Sequence, residues 1–199
     1  MAVPRISIII PQLGREDGLK RCLESIKRII YPQASIEVLV IEGPETVPNK
    51  VKHGFEQSTG EWIVFGANDI EFEPLSIQLA LHDANVHNKR LIAFDTGVRN
   101  DEGWICEHFM IHCSLVYEIG GEIFDTEFYH VGVDDLLWYK CDKLGEAMIS
   151  RGKVIHHHFS RIGSGVEMDE VYKKGWERAE HDRNLLRDKL RALGISKSL

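Results

Sequence analysis

A short stretch near the middle of the chain places an amide and two carboxylates directly after an apolar run. The run Glu61–Gly66 is followed by Asn68, Asp69 and Glu71, and then by Pro74. Because side chains in a strand repeat every two residues, Asp69 and Glu71 could project toward one ligand. Hard divalent cations prefer such oxygen ligands and complete their shell with phosphate oxygens. The stretch is interpreted either as an acidic turn or as a metal site that binds a phosphate.

Two further groups of residues have types suited to metal binding or proton transfer. His156, His157 and His158 end an apolar run, and strand alternation would place His156 and His158 on one face. Imidazole is a frequent metal ligand, although a polar sheet edge also explains a row of histidines. Asp134 and Asp135 begin a helical pattern, where a carboxylate can cap free N–H groups. One of them is enough for capping, so the other could serve as a general base.

The composition is that of an ordinary globular domain with an acidic surface. The 199 residues are 43% hydrophobic and 28% charged, with a formal net charge of -7. Since no basic stripe is visible, a nucleic-acid partner is not expected. The four cysteines have no zinc-binding spacing and are expected to be buried thiols. No segment is apolar enough to span a membrane and no signal peptide is recognisable, so a cytoplasmic location is expected.

Strand patterns alternate with helical patterns in the first half of the chain, residues 1–90. Each strand pattern is short and rich in β-branched residues, and apolar residues at helical spacing follow it. This alternation predicts a three-layer α/β/α domain with a mostly parallel sheet. Ligands of such sheets bind beyond the carboxyl ends of the strands. The segments predicted at those ends are Pro11–Gly14, Glu42–Pro44 and Asn68–Glu71.

The second half, residues 91–165, has a less regular pattern. Strands are predicted at 90–98 and 104–116, with a turn at 99–103 between them and a short last strand at 153–159. A helix is predicted at 133–145, because acidic residues begin the pattern and a glycine ends it.

The C-terminal segment, residues 167–193, is a charged helical pattern with a heptad-like apolar seam interrupted by Arg183. Three interpretations are open: a helix packed on its own domain, a helix that forms a homodimer, and a helix on a membrane surface. The seam consists of Tyr172, Trp176, Ala179, Leu186, Leu190 and Leu193.

The order of these segments resembles the family-2 nucleotide-sugar glycosyltransferases, which have the GT-A fold. A histidine run stands where that family often carries a metal-binding histidine. The blocks that carry the resemblance are ISIIIPQLGREDGLKRCLESI, IEVLVIEG, STGEWIVFGANDIEFEP, EIGGEIFDTEFYHVGVDDLLWYKCDKLG and VIHHH. The resemblance implies a minimal Rossmann-like GT-A domain at 1–165, divided into a nucleotide-binding half at 1–90 and an acceptor-binding half at 91–165. An amphipathic helix at 166–199 follows the domain.

The resemblance also implies roles for individual residues. Asp69 aligns with the last Asp of the family's DxD motif and would bind Mn²⁺ or Mg²⁺, with His156 or His158 as a further ligand. Asp134 or Asp135 aligns with the pair whose carboxylate deprotonates the acceptor hydroxyl. The other implied residues are Glu71 as a compensating metal ligand and Pro11, Gln12, Glu42, Asn68, Gly120 and Gly121 as substrate contacts.

Three departures from the family pattern bear on the donor site. Ala67 and Asn68 replace the first two aspartates of the DxD region, and an asparagine carbonyl can still serve as an oxygen ligand. Glu42 stands where an aspartate usually contacts the nucleoside. The segment Gln12–Gly14 replaces Thr-Tyr-Asn, which removes an aromatic residue near the base.

The expected activity is a metal-dependent, inverting transfer of a sugar, of hexosyltransferase type, by a single displacement. The donor would be a UDP-, GDP- or dTDP-sugar, and the acceptor a glycan or another hydroxyl compound. The alternatives are a catalytically degenerate nucleotide or sugar binder and, less favoured, a sugar nucleotidyltransferase. The latter should carry a glycine-rich loop with Arg and Lys after the first strand, which PQLGRED matches poorly.

Overall fold

The computed structural model describes residues 3–43, 45–97, 106–158, 167–168, 170, 173 and 176–195. These residues form one seven-stranded sheet with helices on both faces. The strands are β1 (Ile6–Pro11), β2 (Ile36–Ile41), β3 (Trp62–Phe65), β4 (Ile70–Phe72), β5 (Leu91–Asp95), β6 (Phe109–His112) and β7 (Ala147–His156). The helices are α1 (Glu16–Lys27), α2 (Val47–Gln57), α3 (Ser76–His87), α4 (Cys113–Glu118), α5 (Val133–Lys143) and α6 (Ala179–Ala192). A short 3₁₀ helix covers Gln33–Ser35.

The strand order across the sheet is β2-β1-β3-β6-β5-β7-β4. Strand β1 is parallel to β2 and β3, and β5 is parallel to β7. Strand β6 is antiparallel to both of its neighbours, and β4 is antiparallel to β7. The sheet is therefore mixed, and the expectation of a mostly parallel sheet is corrected. The α/β alternation that predicts parallel pairing holds as far as β3, and β4 and β6 then run opposite to the other five strands.

The structure corrects two local predictions. The acidic stretch after β3 contains a strand, β4, because Ile70 and Phe72 are buried in the core on either side of Glu71. The strand predicted at 104–116 ends at His112, and helix α4 follows it. The His112 ring accepts a hydrogen bond from the Ser114 N–H and so caps this helix. The turn predicted at 99–103, the start of that strand and Pro44, Phe159 and Tyr172 lie outside the described residues.

Two apolar clusters cover the two faces of the sheet, as a three-layer arrangement requires. Neighbouring residues of β1 show this directly, because Ile8 and Ile9 are both fully buried on opposite faces. Helices α1 and α3 pack on the Ile8 face, and helices α2, α4, α5 and α6 pack on the Ile9 face. The sheet thus provides a rigid base from which the loops at its carboxyl end project.

Helix α6 packs on its own domain through the apolar seam. Ala179, Leu186 and Leu190 are buried, and the two leucines belong to the same cluster as α5. Arg183 and Trp176 of the predicted seam are exposed. This face is therefore occupied within the chain, and a second copy would have to use other residues. No helix in the described part of the chain is long and apolar enough to cross a bilayer.

Candidate functional site

Two loops meet beyond the carboxyl ends of β1 and β3, and buried amides hold them together. The Asn68 side-chain amide donates to Gln12 Oε1 at 2.9 Å and to the Gly14 carbonyl at 3.2 Å. The Gln12 amide also donates to the Gly14 carbonyl, at 2.5 Å. Gln12 and Asn68 are both buried. These two predicted substrate contacts are brought together, and their amides shape the loop in which a ligand would lie.

A buried lysine supports the same loop from below. The Lys50 ammonium of α2 donates to the Gln12 carbonyl at 2.6 Å, and only 2% of the residue is exposed. Burial lowers the pKa of Lys50, while the charges of Glu45 and Glu42 oppose that effect. Glu42 itself is exposed at the end of β2, and Pro11 is half-buried at the end of β1. Lys50 was not predicted, because a lysine in a helical pattern is normally solvated.

Helix α1 begins close to this loop, and Gly18 permits the approach. A Cβ at this position would lie 2.4 Å from the Asn68 carbonyl oxygen. We expect Gly18→Ala to displace the 67–69 turn and to lower the free energy of unfolding by about 1–3 kcal/mol. Chemical denaturation and nucleotide titration measure the two effects. Gly54→Ala is the control, since the three atoms nearest its Cβ would all belong to the Ile9 side chain. Equal nucleotide affinity in both variants would contradict the proposed link between Gly18 and the turn.

Asp69 stands between a histidine and an arginine. Its Oδ1 lies 3.6 Å from His156 Nε2, and its Oδ2 lies 3.2 Å from Arg15 Nη1. The other ring nitrogen of His156, Nδ1, lies 3.4 Å from Glu107 Oε2. Arg15 has a left-handed backbone with φ of 55°, which is uncommon for a residue other than glycine and recurs at functional sites. The structure therefore brings Asp69 together with His156, and a metal ion shared by them stays a prediction.

Glu71 has a different set of partners. It forms ion pairs with Arg21 of α1 and with Arg28 directly after that helix, both at 3.4 Å, and its Oε1 lies 2.9 Å from His157 Nε2. The backbone N–H of His157 donates to the Asp69 carbonyl at 2.8 Å and so holds the two segments in register. Strand β4 is continuous across Glu71, so its side chain follows the alternation away from the buried neighbours. Glu71 is consequently grouped with α1 rather than with Asp69.

In the described contacts, Asp69 and His156 are predicted metal ligands that face each other. His156 and His158 have ring centroids 5.2 Å apart, whereas Asp69 and His156 face each other directly. Within the described ranges, no group of three or more His, Cys, Asp or Glu residues could hold a metal ion. A nucleotide-bound Mg²⁺ or Mn²⁺ commonly takes only one or two protein ligands, so the Asp69–His156 pair fits such an ion.

The protonation of His156 depends on its two carboxylate neighbours. Burial lowers its pKa, but hydrogen bonds to Asp69 and Glu107 outweigh burial and raise it to about 9. The ring is therefore charged at neutral pH in this state. Since an imidazole must be neutral to bind a metal ion, binding of a cation there would release a proton.

The two adjacent aspartates lie in the first turn of α5. Gly132 precedes the helix with φ of 80°, and neither aspartate occupies the capping position itself. Burial and the charges of Asp135 and Glu107 raise the pKa of Asp134 to about 7, against the opposing effect of backbone N–H groups. A carboxylate with a pKa near the working pH is suited to general base catalysis. Glu107 thus contacts His156 at 3.4 Å, and its charge also acts on Asp134.

The paired glycines follow helix α4. Gly120 and Gly121 have φ of 122° and 86°, and the Gly121 N–H donates to the Val116 carbonyl at 2.8 Å. A Cβ at either glycine would meet nothing within 4 Å in this structure. The backbone conformation therefore accounts for the glycines, and close approach of an acceptor to them stays a prediction.

The mixed seven-stranded sheet with helices on both faces defines an α/β fold. No protein-family model matches the chain, and no curated protein matches it either. The likeness is found among solved structures at low sequence identity, and at such identity it shows a shared fold.

One similar structure is the mannosyltransferase PcManGT from Pyrobaculum calidifontis in complex with GDP-Man and Mn²⁺. Its TM-score is 0.62 at 14% identity, and the match covers 100% of this chain and 77% of that chain. Another is S. aureus TarS 1-349, with a TM-score of 0.63 at 13% identity, covering 94% of this chain and 70% of that chain. The same TarS segment in complex with UDP-GlcNAc matches with a TM-score of 0.64 at 12% identity, covering 94% and 71%. The expected glycosyltransferase fold is confirmed at this level.

Proposed function

We propose that the chain is an inverting nucleotide-sugar glycosyltransferase that acts on a hydroxyl acceptor. One observation carries the proposal: Glu107 lies 3.4 Å from His156, which faces Asp69, and the charge of Glu107 also acts on Asp134. A donor diphosphate needs the Asp69–His156 pair and an acceptor hydroxyl needs Asp134. Asp69 comes directly before β4, His156 ends β7 and Asp134 lies in the first turn of α5.

The donor would bind in the loops after β1, β2 and β3. Pro11, Gln12, Glu42 and Asn68 would contact the nucleoside, with the Gln12 backbone held by Lys50. The similar structures contain GDP-Man in one case and UDP-GlcNAc in another, which supports a GDP- or UDP-sugar as donor. A dTDP-sugar is a further candidate.

Asp69 and His156 would hold a divalent cation, Mn²⁺ or Mg²⁺. Such an ion, when bound, neutralises the charge that develops on a leaving diphosphate. Arg15 is a fixed positive charge on the other oxygen of Asp69. It would orient that carboxylate and add to the positive field around the diphosphate. Glu71 would support the site from outside through its ion pair with Arg21. His158 would support it through its contact with the His156 ring.

Asp134 would act as the general base. Its carboxylate takes the proton of the acceptor hydroxyl as that oxygen bonds to the anomeric carbon of the donor. The bond from the anomeric carbon to the diphosphate oxygen breaks in the same step, and the nucleoside diphosphate leaves with the bonding electrons. A single displacement from the opposite face inverts the configuration. Asp135 is the alternative base, while Gly120 and Gly121 would border the acceptor.

Calorimetric titration of UDP, GDP and dTDP, each with and without Mn²⁺, tests the donor site. We expect one nucleotide to bind in a manganese-dependent manner and Asp69→Ala to weaken that binding at least about 10-fold, because a direct metal ligand is lost. Asp17→Ala in the first turn of α1 removes an exposed carboxylate and is the matched control. Unchanged binding in Asp69→Ala would overturn the assignment of the cation site.

A second function, nucleotide binding without turnover, is favoured by one observation. Asn68 replaces a DxD aspartate, and its amide is engaged by Gln12 and Gly14. The two functions are separated by an incubation experiment. The protein is mixed with sugar derivatives of the nucleotide that binds most tightly and with a mixture of glycan acceptors. Release of nucleoside diphosphate that requires an acceptor supports the transferase. Binding with no release under any acceptor supports the binder.

A further inference from the structure

A buried aspartate of the C-terminal helix binds the backbone directly before the proposed catalytic helix. Asp182 of α6 has 0% exposure. Its Oδ1 accepts a hydrogen bond from the Tyr129 N–H at 3.0 Å, and its Oδ2 accepts from the N–H groups of His130 and Val131, both at 2.8 Å. Burial raises the pKa of Asp182, but these three N–H groups and His181 outweigh burial and hold it below its usual value. The carboxylate is therefore ionised and fully engaged.

Two further contacts of α6 reach the same loop. A Cβ at Gly132 would lie 2.9 Å from Leu186 Cδ2, so the leucine packs closely on the residue that precedes α5. The Lys189 ammonium lies 2.8 Å from Asp125 Oδ2 at the start of the loop. Asp182, Leu186 and Lys189 are spaced four and three residues apart and so share one helix face. That face follows the loop 125–132 along its length.

The loop determines where α5 begins. Val131 is the last residue whose N–H is bound by Asp182, Gly132 caps the helix, and Asp134 follows two residues later. The first backbone hydrogen bond of the helix joins the Leu136 N–H to the Gly132 carbonyl at 3.0 Å. With so short a connection, a shift of the 129–131 backbone would be transmitted directly to the first turn.

We propose, on the basis of the proposed function, that Asp182 is a positioning residue for the transfer reaction. Through the backbone of residues 129–131 it holds the first turn of α5 so that Asp134 faces the acceptor beside Glu107. Helix α6 is thus part of the machinery of the site, although none of its described residues contacts Asp69 or His156 in the hydrogen bonds and ion pairs above. A catalytic group that is displaced by about 1 Å can lose about 100-fold in rate.

Asp182→Asn tests the proposal, and Asp83→Asn is the matched control. Asp83 is also a buried carboxylate, bound by the Arg151 N–H at 2.9 Å and by Ser150 Oγ at 3.0 Å, but it joins α3 to β7. We expect both variants to lose stability. Only Asp182→Asn should lower kcat, by at least about 10-fold, with the donor KM nearly unchanged. It should also move the acid limb of the pH–rate profile to lower pH, because a loosened Asp134 gains water.

Measurements that do not depend on turnover test the positioning role separately from the proposed function. Hydrogen exchange of wild type should show the amides of Tyr129, His130 and Val131 opening together with the Leu136 amide, as one unit. NMR titration should show a lower pKa for the Asp134 carboxyl in Asp182→Asn than in wild type. If wild type transfers no sugar, the proposed function fails while these readouts still decide the positioning role.

Two outcomes would overturn the positioning role. The first is independent opening of residues 129–131 and α5 in wild type, which can be measured even if Asp182→Asn does not fold. The second is an Asp182→Asn protein whose Asp134 titrates as in wild type, or whose kcat falls no further than that of Asp83→Asn.

Discussion

Asp134→Asn is expected to lower kcat by about 10²- to 10⁴-fold and to leave the affinity for the donor nucleotide nearly unchanged. Asparagine keeps the shape of the side chain but cannot accept a proton at neutral pH. The donor site depends on loops after β1 and β3 and on the Asp69–His156 pair, none of which includes α5. Steady-state kinetics and nucleotide titration of the same preparation measure the two effects.

Two variants of the same helix serve as controls. Asp142→Asn removes an exposed carboxylate from the far end of α5 and should leave kcat unchanged. Asp135→Asn removes the neighbouring charge that helps to raise the pKa of Asp134. It should therefore shift the pH dependence while retaining turnover. Full loss of turnover in Asp135→Asn, with turnover retained in Asp134→Asn, would assign the base to Asp135.

The parts of the fold that could be predicted from the sequence are those encoded by local pattern. Runs of β-branched residues marked β1 to β3, and apolar residues at helical spacing marked α1 to α3. Helix α5 was marked by the acidic residues at its start and the glycine at its end. Strand direction depends on which strands become neighbours in the sheet. Phe109 pairs with Phe65 and Leu91 pairs with Ile111, and the two residues of each pair lie far apart in the chain. The antiparallel insertion of β6 and the pairing of β4 with β7 were therefore out of reach of periodicity alone.

Some residues of the candidate site could be predicted from the sequence, and others could not. Asp69, His156 and Asp134 could be selected because their residue types and order match a known pattern. Arg15 and Glu107 could not, since an arginine in a turn and a glutamate before a strand are ordinary surface residues. The fold brings them within 3.4 Å of Asp69 and His156 respectively. Asp182 carried a weak signal: it is an acid beside an apolar seam, and burial of that helix face places it among backbone N–H groups.

The free energy of unfolding should depend on pH because the pKa of Asp134 is raised in the folded chain. In the unfolded chain this carboxyl has its ordinary pKa of 3.8, whereas in the folded chain the pKa is about 7. The folded state therefore holds more protons than the unfolded state between these values, and stability falls as pH rises through them. Asp134→Asn removes this loss and should unfold at a higher denaturant concentration than wild type at pH 8. Such a gain, together with lost turnover, is characteristic of a residue kept for function.

The pH dependence of kcat/KM is expected to follow the ionisation of Asp134, and the expected change is large. The base must be ionised, so kcat/KM should rise through an apparent pKa of about 7 and fall roughly tenfold for each pH unit below it. At pH 5 the rate should then be on the order of 100-fold below its plateau. Burial of Asp134 is the largest cause of its raised pKa, and the negative charges of Asp135 and Glu107 add to it. Glu107→Gln should accordingly move the limb to lower pH, measured as kcat/KM from pH 5 to pH 9.

An acid limb near pH 4 in wild type would mean that the proton acceptor is a solvated carboxylate, and Asp134 would lose its assigned role.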